Sequence, residues 1–361
     1  MSAIFGVLGV EDTEAALLDN IGQGLVFDAI NEVLGFHNSD IAAATRVFVK
    51  GETEKYTERW MAPGSGMMSP AGQDPFGPPP SVQRYGYWDV SYRLSEYAEA
   101  ISGSRVGLAY MTLQELNAHL DTVMERNMAR HRQRMLIALM ESTNLTWNDT
   151  KHGALTIRRL ANTDGTLYPP LPGATAEADD CHYIDAAYNV AGIAAATNPA
   201  VDLRDEIIEH FGGRLTTGTD VLYIHGSDQT AYIQAIAGYV AREDDKISYG
   251  DDTDIAKALD GIPGWHNGRG WGVHLTEWAW MPDEFGMAVL LSHPPLMRRV
   301  DTAASGLPRG LTLVATDKDH PLQGSFFSDR FGYAVGNRLS AACIEINAGG
   351  ATYTPPTAYT E

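Results

Sequence analysis

Apolar residues recur at helical spacing through residues 112–143, a stretch that contains neither Gly nor Pro. Thr112 and Glu115 match the S/T-x-x-E capping box, in which each side chain bonds the other residue's backbone N–H. A helix over this stretch would be roughly 45–50 Å long, far above the globular average of about 11–12 residues. The pattern predicts a helix that spans a domain, although an ordinary core helix of an all-α enzyme also fits it. The apolar positions are Leu113, Leu116, Leu120, Met124, Met128, Met135 and Leu139.

The residues before this helix carry a weaker apolar pattern. Residues 1–44 are acidic, and their apolar side chains can line one helical face between Gly22, Gly24 and Gly35. Two interpretations stay open: a short helix pair that caps the domain, and an arm that packs on another subunit. The apolar positions are Leu17, Leu18, Ile21, Leu25, Val26, Ile30, Val33 and Leu34.

Residues 45–60 and 82–97 are rich in β-branched and aromatic residues with charges between them, which is typical of extended strands. The intervening residues 61–80 are dense in Pro and Gly, so no regular element persists there. We therefore predict a long two-stranded ribbon with an irregular tip. Such a ribbon is marginally stable alone, so its aromatic side chains need a surface, either their own domain or a neighbouring copy of the chain. The candidate subunit-interface residues are Tyr56, Trp60, Phe76, Tyr85, Trp88 and Arg93.

After the long helix, the sequence predicts a β-hairpin at residues 154–171 with its turn at residues 162–165. Basic residues cluster between positions 126 and 159, against the acidic trend of the chain. Three interpretations fit: a solvated helix face with internal ion pairs, a surface that faces nucleic acid, and a dock for an acidic segment such as the chain's own N-terminus. The candidate inner-surface basic patch comprises Arg126, Arg130, Arg132 and Arg134.

Residues 187–314 alternate between strand-like and helix-like segments, which predicts an α/β unit inserted into the first domain. In the helix expected within residues 225–240, Tyr232, Ile233, Ile236 and Val240 should face inward. A second helix is expected at 202–211, strands at 221–224, 273–280 and 284–291, and a loop at 261–272. Strands at 311–315, 324–332 and 333–346 are expected to return to the first domain, where the last two would pair with the hairpin.

Composition narrows the functional classes. The 361 residues are 44% hydrophobic and 20% charged, as in a folded protein, and carry a formal charge of −20. This charge argues against a free polyanion as the main partner, because phosphate binding requires clustered Lys and Arg. Residues 1–45 contain no Lys or Arg, which argues against a secretory or transit leader, and no apolar run reaches the roughly 18 residues of a membrane span. With only Cys181 and Cys343, a disulfide framework is excluded.

Catalytic and metal-binding motifs are weak. The sequence has no phosphate-binding P-loop, no nucleophile elbow and no H-E-x-x-H pair. Asp179, Asp180 and His182 can in principle ligate a metal, but adjacent residues rarely converge on one ion without distant ligands. His225, after a predicted strand, is the best isolated candidate, and no nucleophile or base pairs with it. We therefore predict no catalytic, cofactor or metal site and no enzymatic activity, with a metal-dependent hydrolase as a minor alternative.

The order of these elements resembles the major capsid protein of tailed bacteriophages, whose Hong Kong 97-type fold is shared with encapsulin shells. An arm, a strand-rich loop with an irregular tip, a long helix, a hairpin, an inserted α/β unit and returning strands follow one another along nearly the whole chain. The most similar local sequence is RFGYAVGNR at residues 330–338. Its Arg, its Gly and its Asn-Arg pair are similar to the closing segment of many such proteins.

The resemblance implies an α+β fold with a long spine helix, an extended β E-loop, a peripheral domain and an inserted α/β axial domain. Its expected segments are the N-terminal arm (1–44), the E-loop (45–100), the peripheral domain (101–189) with the spine helix at 112–143, the axial domain (190–314) and the return to the peripheral domain (315–361).

The same resemblance implies a structural protein. Its copies would form hexamers and pentamers and close into an icosahedral virion capsid around double-stranded DNA held by loose contact. Scaffolding, portal and decoration proteins would be further partners, assembly would occur in the host cytoplasm, and neither a cofactor nor a membrane is expected. An encapsulin-like compartment around a protein cargo, or a tail or portal component, are the alternatives.

Overall fold

The computed structural model describes residues 22–61, 87–100, 111–162, 182–210, 220–241, 267–315, 321–322, 324–347 and 352–361. Within these residues the chain is a mixture of helices and sheets, and its strands form two larger sheets and two hairpin-like pairs. The helices are α1 (Gln23–Thr45), α2 (Leu113–Met140), α3 (Pro199–His210) and α4 (Ser227–Ala235).

Helix α2 is the predicted long helix, about 42 Å from end to end. Its capping box forms as predicted: Thr112 Oγ1 accepts the Glu115 N–H at 3.3 Å, and Glu115 Oε2 accepts the Thr112 N–H at 3.0 Å. The helix ends at Met140 rather than at residue 143, because Glu141 adopts an extended conformation. The hydroxyl of Tyr353 donates to the Met140 carbonyl at 2.8 Å and so satisfies one carbonyl of the last turn.

Helix α1 packs on α2 within the same chain. Its buried face, which includes Val26, Ile30 and Leu34, shares a hydrophobic cluster with Leu116 and Leu120 of α2. The described part of the predicted arm is thus one continuous helix that packs on its own domain. Leu25, predicted on the apolar face, is 64% exposed. Residues 1–21, with Leu17, Leu18 and Ile21, lie outside the described residues.

The first sheet has five strands in the order β1-β13-β15-β14, with β4 also paired to β15. Strand β15 lies across α2, and Phe331 is fully buried there with Met135 and Leu139. Since β1 pairs with β13 and β4 pairs with β15, both flanks of the predicted ribbon belong to this sheet. The strands are β1 (Val49–Thr53), β4 (Ser95–Glu99), β13 (Leu296–Arg299), β14 (Thr312–Ala315) and β15 (Ser325–Val335).

The remaining part of the ribbon is the antiparallel pair β2 (Thr57–Met61) and β3 (Tyr87–Ser91), in which Trp60 faces Trp88. The two-stranded ribbon is therefore confirmed, but it is shorter than predicted. The stretch between these strands, residues 62–86, lies outside the described residues, as do the candidates Phe76 and Tyr85.

A hairpin directly follows α2. It comprises β5 (Leu145–Asp149) and β6 (Gly153–Ile157), so the start of the predicted strand at 154–160 pairs with a strand that was not predicted. The expected turn at 162–165 and strand at 166–171 lie almost wholly outside the described residues. The observed turn is stabilised by Asp149 Oδ1, which accepts the backbone N–H groups of Lys151 and His152 at 2.8 and 2.9 Å. Gly153 follows with a φ of 75°, a conformation that favours glycine. Residues 163–181 lie outside the described residues.

The second sheet has seven strands in the order β7-β16-β12-β8-β11-β10-β9, with α3 packed on one face through Leu203 and Ile207. The predicted strand at 221–224 is confirmed as β8, whose five residues are all buried. The strands are β7 (Tyr183–Ala186), β8 (Val221–His225), β9 (Val240–Ala241), β10 (Asn267–Gly270), β11 (Val273–Glu277), β12 (Phe285–Leu290) and β16 (Ala341–Ile346).

This sheet does not coincide with the predicted axial boundary at 190–314. Strands β7 and β16 lie outside that range and yet belong to the sheet, whereas β13 lies inside it and belongs to the five-stranded sheet. The predicted pairing of the returning strands with the hairpin is wrong, because β15 pairs with β4, β13 and β14, and β16 pairs with β7 and β12. Strand pairing joins residues far apart in the sequence, and local periodicity does not predict it.

Two local expectations in the α/β unit are also wrong. Val240 is 58% exposed on the edge strand β9, and Tyr232 is 40% exposed on α4, although both were predicted to face inward. Residues 267–270, predicted as loop, form β10. None of the described helices has the length and apolarity needed to cross a bilayer.

Replacing Gly332 of β15 by Ala should strongly destabilise the fold. A Cβ atom at Gly332 would lie 1.8 Å from the carbonyl oxygen of Arg93, a backbone atom that cannot rotate away. We expect Gly332→Ala to lower the free energy of unfolding by about 3 kcal/mol or more. The matched control is Gly35→Ala in α1, where no atom lies within 4 Å of the new Cβ, and a gain of about 0.5–1 kcal/mol is expected. Urea denaturation compares the two variants, and equal effects would contradict the expectation.

Candidate assembly surface

The β2–β3 ribbon is packed on its own chain through its tryptophan pair. Trp88 is 2% exposed, and its Nε1–H donates to the Gly336 carbonyl at 3.0 Å. Trp60 lies so close to Gly336 that a Cβ there would be 2.7 Å from the indole ring. The cluster beneath the ribbon is formed by Trp88, Val90, Tyr92, Ile157, Ala334 and Leu339. Trp88 therefore covers its own domain, and its position does not support the interface role predicted for it.

Exposed aromatic side chains border the described ribbon at both of its ends. Tyr56, just before β2 at the root, is 44% exposed and stacks on His152 of the β5–β6 turn with ring centroids 3.6 Å apart. Arg59 bonds both carboxylate oxygens of Asp89 across the strands at 2.7 and 2.8 Å, and its guanidinium lies 4.1 Å from the ring centroid of Tyr87. Tyr87, at the outer end of the described pair, is 57% exposed. These two tyrosines, rather than the buried Trp88, offer side chains to another molecule.

A partly buried ion cluster ties the root of the ribbon to the rest of the domain. The Glu361 carboxylate accepts from Arg134 of α2 at 2.8 Å, from Arg159 after β6 at 2.5 Å, and from Arg93 between β3 and β4. The backbone N–H of Glu361 donates to Glu141 Oε2 at 3.0 Å. A single carboxylate thus joins the ribbon root, the central helix and the hairpin.

The cluster shifts the ionisation of its members. Burial opposes ionisation of Glu361, but Arg134 and Arg159 outweigh it and hold the pKa of Glu361 below its usual value. Burial lowers the pKa of Arg159, which is 4% exposed, while the Glu361 carboxylate opposes that shift. Arg93, a predicted interface residue, also lies 4.1 Å from the ring centroid of Trp147, so its guanidinium is engaged within the chain.

A second polar network connects α1, α2 and β15. His131 Nε2 bonds Asp329 Oδ2 at 2.8 Å, and Nδ1 bonds the Tyr333 hydroxyl at 2.7 Å. Asn127 Nδ2 donates to the same Asp329 oxygen at 3.0 Å, and its Oδ1 accepts from His37 of α1 at 3.2 Å. Burial lowers the pKa of the fully buried His131, although the Asp329 carboxylate opposes the shift. This network holds the sheet on the helix and has no open face for a substrate in the described residues.

The predicted basic patch consists of arginines that contact their own chain. Arg126 bonds Glu99 at 3.1 Å, and Arg134 bonds Glu361. The guanidinium of Arg130 lies 5.5 Å from the ring centroid of Tyr97, and that of Arg132 lies 5.7 Å from the ring centroid of Trp280. The arrangement matches the interpretation of a helix face with internal ion pairs. The inner-surface role stays a prediction.

The alternative metal site receives no support from the part that is described. Asp179 and Asp180 lie outside it, and His182 is fully buried. The described residues contain no group of three or more His, Cys, Asp or Glu side chains placed to hold a metal ion. Cys343 is buried, and burial raises the pKa of its thiol.

Sequence reasoning missed Glu361 and Asp329, and it included Arg159 only as a member of the basic cluster at 126–159. Their partners lie some 200 positions away along the chain, so no local spacing connects them. The basic excess at residues 126–159 was a genuine signal for the cluster, because a dock for an acidic segment was among its interpretations. The acidic group that occupies it is Glu361, not the N-terminal segment.

Replacing Glu361 by Gln should lower the free energy of unfolding by about 2 kcal/mol, because three guanidinium groups lose their anion. The fold lowers the pKa of Glu361, so its contribution to the free energy of unfolding is fully present above the usual Glu pKa. That contribution is lost as the pH falls through the lowered value. The matched control is Glu209→Gln on the exposed side of α3. Urea denaturation at neutral pH measures both, and equal midpoints would contradict the role given to Glu361.

Stability should also fall on mild acidification. A folded-state pKa of His131 below the ordinary 6.5 means that the unfolded chain takes up the proton first. The free energy of unfolding should therefore decrease as the pH drops below 6.5, and His37, whose pKa burial also lowers, contributes in the same direction. His131→Gln should flatten this slope, whereas Tyr333→Phe, which keeps the imidazole, should retain it. Urea titrations across this pH range test the assignment, and an unchanged slope in His131→Gln would refute it.

Comparison with known proteins addresses the fold. No protein-family model matches the sequence, and no curated protein is significantly similar to it. A chain of Mycobacterium phage Patience aligns with a TM-score of 0.64 and 20% identity, covering 99% of this chain and 97% of that chain. The capsid of an empty GTA particle computed with C5 symmetry aligns with a TM-score of 0.47 and 13% identity, covering 85% and 90%. Of these two, the phage Patience chain alone aligns closely enough to identify a fold. The chain has the α+β, Hong Kong 97-type capsid fold that the sequence resemblance predicted.

Proposed function

We propose that this chain is the major capsid protein of a tailed bacteriophage, a structural protein whose copies form the hexamers and pentamers of an icosahedral shell. The observation that carries the proposal is the likeness to the phage Patience chain, which extends over almost the full length of both chains. An enzyme with an inserted binding domain would have no reason to share the whole order of elements with that phage chain. The proposed location is the virion capsid, with assembly in the host cytoplasm.

The surface of the chain supports association between copies. An obligate interface buries about 2,000–5,000 Å² and draws on aromatic residues. The ribbon supplies Tyr56 and Tyr87, both well exposed, one on each side of the Arg59–Asp89 pair. We propose that these exposed residues contact a neighbouring copy, with Arg93 at the root and Trp60 on Gly336 orienting the ribbon.

The charge of the chain supports loose contact with packaged double-stranded DNA. A formal charge of −20 repels phosphates over most of the surface. The arginines of α2 are engaged with Glu99, Glu361 and aromatic rings of the same chain. A capsid wall with this charge would enclose DNA without binding it tightly. Scaffolding, portal and decoration proteins are further proposed partners.

The decisive experiment is expression of the full chain, followed by size-exclusion chromatography and electron microscopy. We expect megadalton spherical particles rather than a 39.2 kDa monomer. Particles recovered from infected cells should contain double-stranded DNA, whereas a protein cargo would indicate an encapsulin-like compartment. A monomeric protein, or rings and tubes, would overturn the proposal.

The exposed tyrosines of the ribbon should matter for assembly and not for folding. The double replacement Tyr56→Ser and Tyr87→Ser should leave thermal unfolding of the subunit nearly unchanged but sharply lower the yield of shells in electron micrographs. Trp88→Ala is the contrasting variant, because removal of a buried indole should cost about 3–5 kcal/mol of folding free energy. Normal shells from the double variant would contradict the proposed contact.

A further inference from the structure

A groove of about 610 Å³ lies between α1 and α2. Its apolar floor is formed by Val33 and Phe36 of α1, Met124 and Met128 of α2, and Trp280. Phe36 is 67% exposed, an unusual position for a phenylalanine that lies beside other apolar side chains. Methionine side chains are flexible and polarisable, so a floor of this kind adapts to an apolar partner.

The rim of the groove is acidic. Asp40 of α1 and Asp121 and Glu125 of α2 line it, and all three residues are exposed. None of the three forms an ion pair with another residue in the described ranges. On the opposite flank of α2, by contrast, the charge of Arg126 is balanced by Glu99 of the same chain.

Two basic side chains line the groove without balancing this rim. His37 donates to Asn127, and burial lowers its pKa although Asp40 opposes that shift. Arg132 is turned onto Trp280, with the guanidinium 5.7 Å from the ring centroid. Burial lowers the pKa of Arg132. The open part of the rim therefore keeps its negative charge for an incoming molecule.

We propose that this groove binds a basic amphipathic helix supplied by another protein. The α2 side of the groove, from Asp121 to Arg132, extends roughly 16 Å, which accommodates about three helical turns. Apolar residues at positions i, i+3, i+4 and i+7 of such a helix would cover Phe36, Met124 and Met128. Its Lys or Arg side chains would reach the three rim carboxylates.

Charge complementarity argues against a second copy of this chain as the occupant. A copy also carries a formal charge of −20, so seating it here would add like charge to an acidic rim. The arginines that a copy can offer on α2 are engaged with its own Glu99, Tyr97 and Glu361. A separate basic partner meets no such cost. This inference does not depend on the proposed capsid function.

The test uses unassembled full-length protein and a synthetic fluorescein-labelled helical peptide with Leu on one face and Lys on the other. Fluorescence anisotropy should detect saturable binding of this peptide. The matched peptide with Glu in place of Lys should not bind. Phe36→Ser should weaken binding about tenfold or more, because an exposed apolar anchor is lost while the core is untouched.

Charge variants test whether the rim carboxylates, rather than the overall negative charge of the chain, are responsible for peptide binding. Asp121→Asn with Glu125→Gln should weaken binding about tenfold and reduce its dependence on salt. The matched control, Asp220→Asn with Glu209→Gln, removes two exposed carboxylates far along the chain and should leave the affinity unchanged. Equal weakening by both pairs, full affinity in Phe36→Ser, or binding of the Glu peptide would overturn the proposal. These outcomes are independent of whether shells form.

Discussion

The packing of β15 across α2 is the interaction on which the rest of the structure depends. A helix about 42 Å long cannot stabilise itself by propensity alone and needs an apolar face covered along its length. Phe331 and Tyr333 cover its centre, and the buried pair of His131 and Asp329 fixes the register between strand and helix. Every other strand of the five-stranded sheet pairs directly or through one neighbour with β15, so its position on the helix sets theirs.

The ion cluster at Glu361 extends this frame to the ribbon. Charges removed from water are costly unless they are paired, so three arginines around one carboxylate hold their elements in one arrangement. The hydrogen bond from Trp88 Nε1–H to the Gly336 carbonyl also holds the ribbon on the domain. The ribbon is therefore anchored to its own domain by these contacts, while Tyr56 and Tyr87 stay exposed.

Local sequence signals predicted the elements better than their pairing. The capping box of Thr112 and Glu115, the buried strand at β8 and the two-stranded ribbon follow from periodicity and side-chain chemistry, and all three are confirmed. The turn at residues 149–153 was not predicted, although Asp149, which accepts two backbone N–H groups there, is a common turn residue. The sheet order, the burial of Trp88 and the Glu361 cluster depend on partners far away in the sequence, which no window of residues reveals.

The connectivity of the five-stranded sheet has a consequence for synthesis of the chain. Its strands come from residues 49–53, 95–99, 296–299, 312–315 and 325–335, and β15, the central strand, is the last of them in sequence. The ribosome must therefore release β15 before the part of α2 around Met135 and Leu139 can be covered, and such non-local topologies fold slowly. Until then the nascent chain exposes this apolar surface, which makes chaperone protection valuable during that interval.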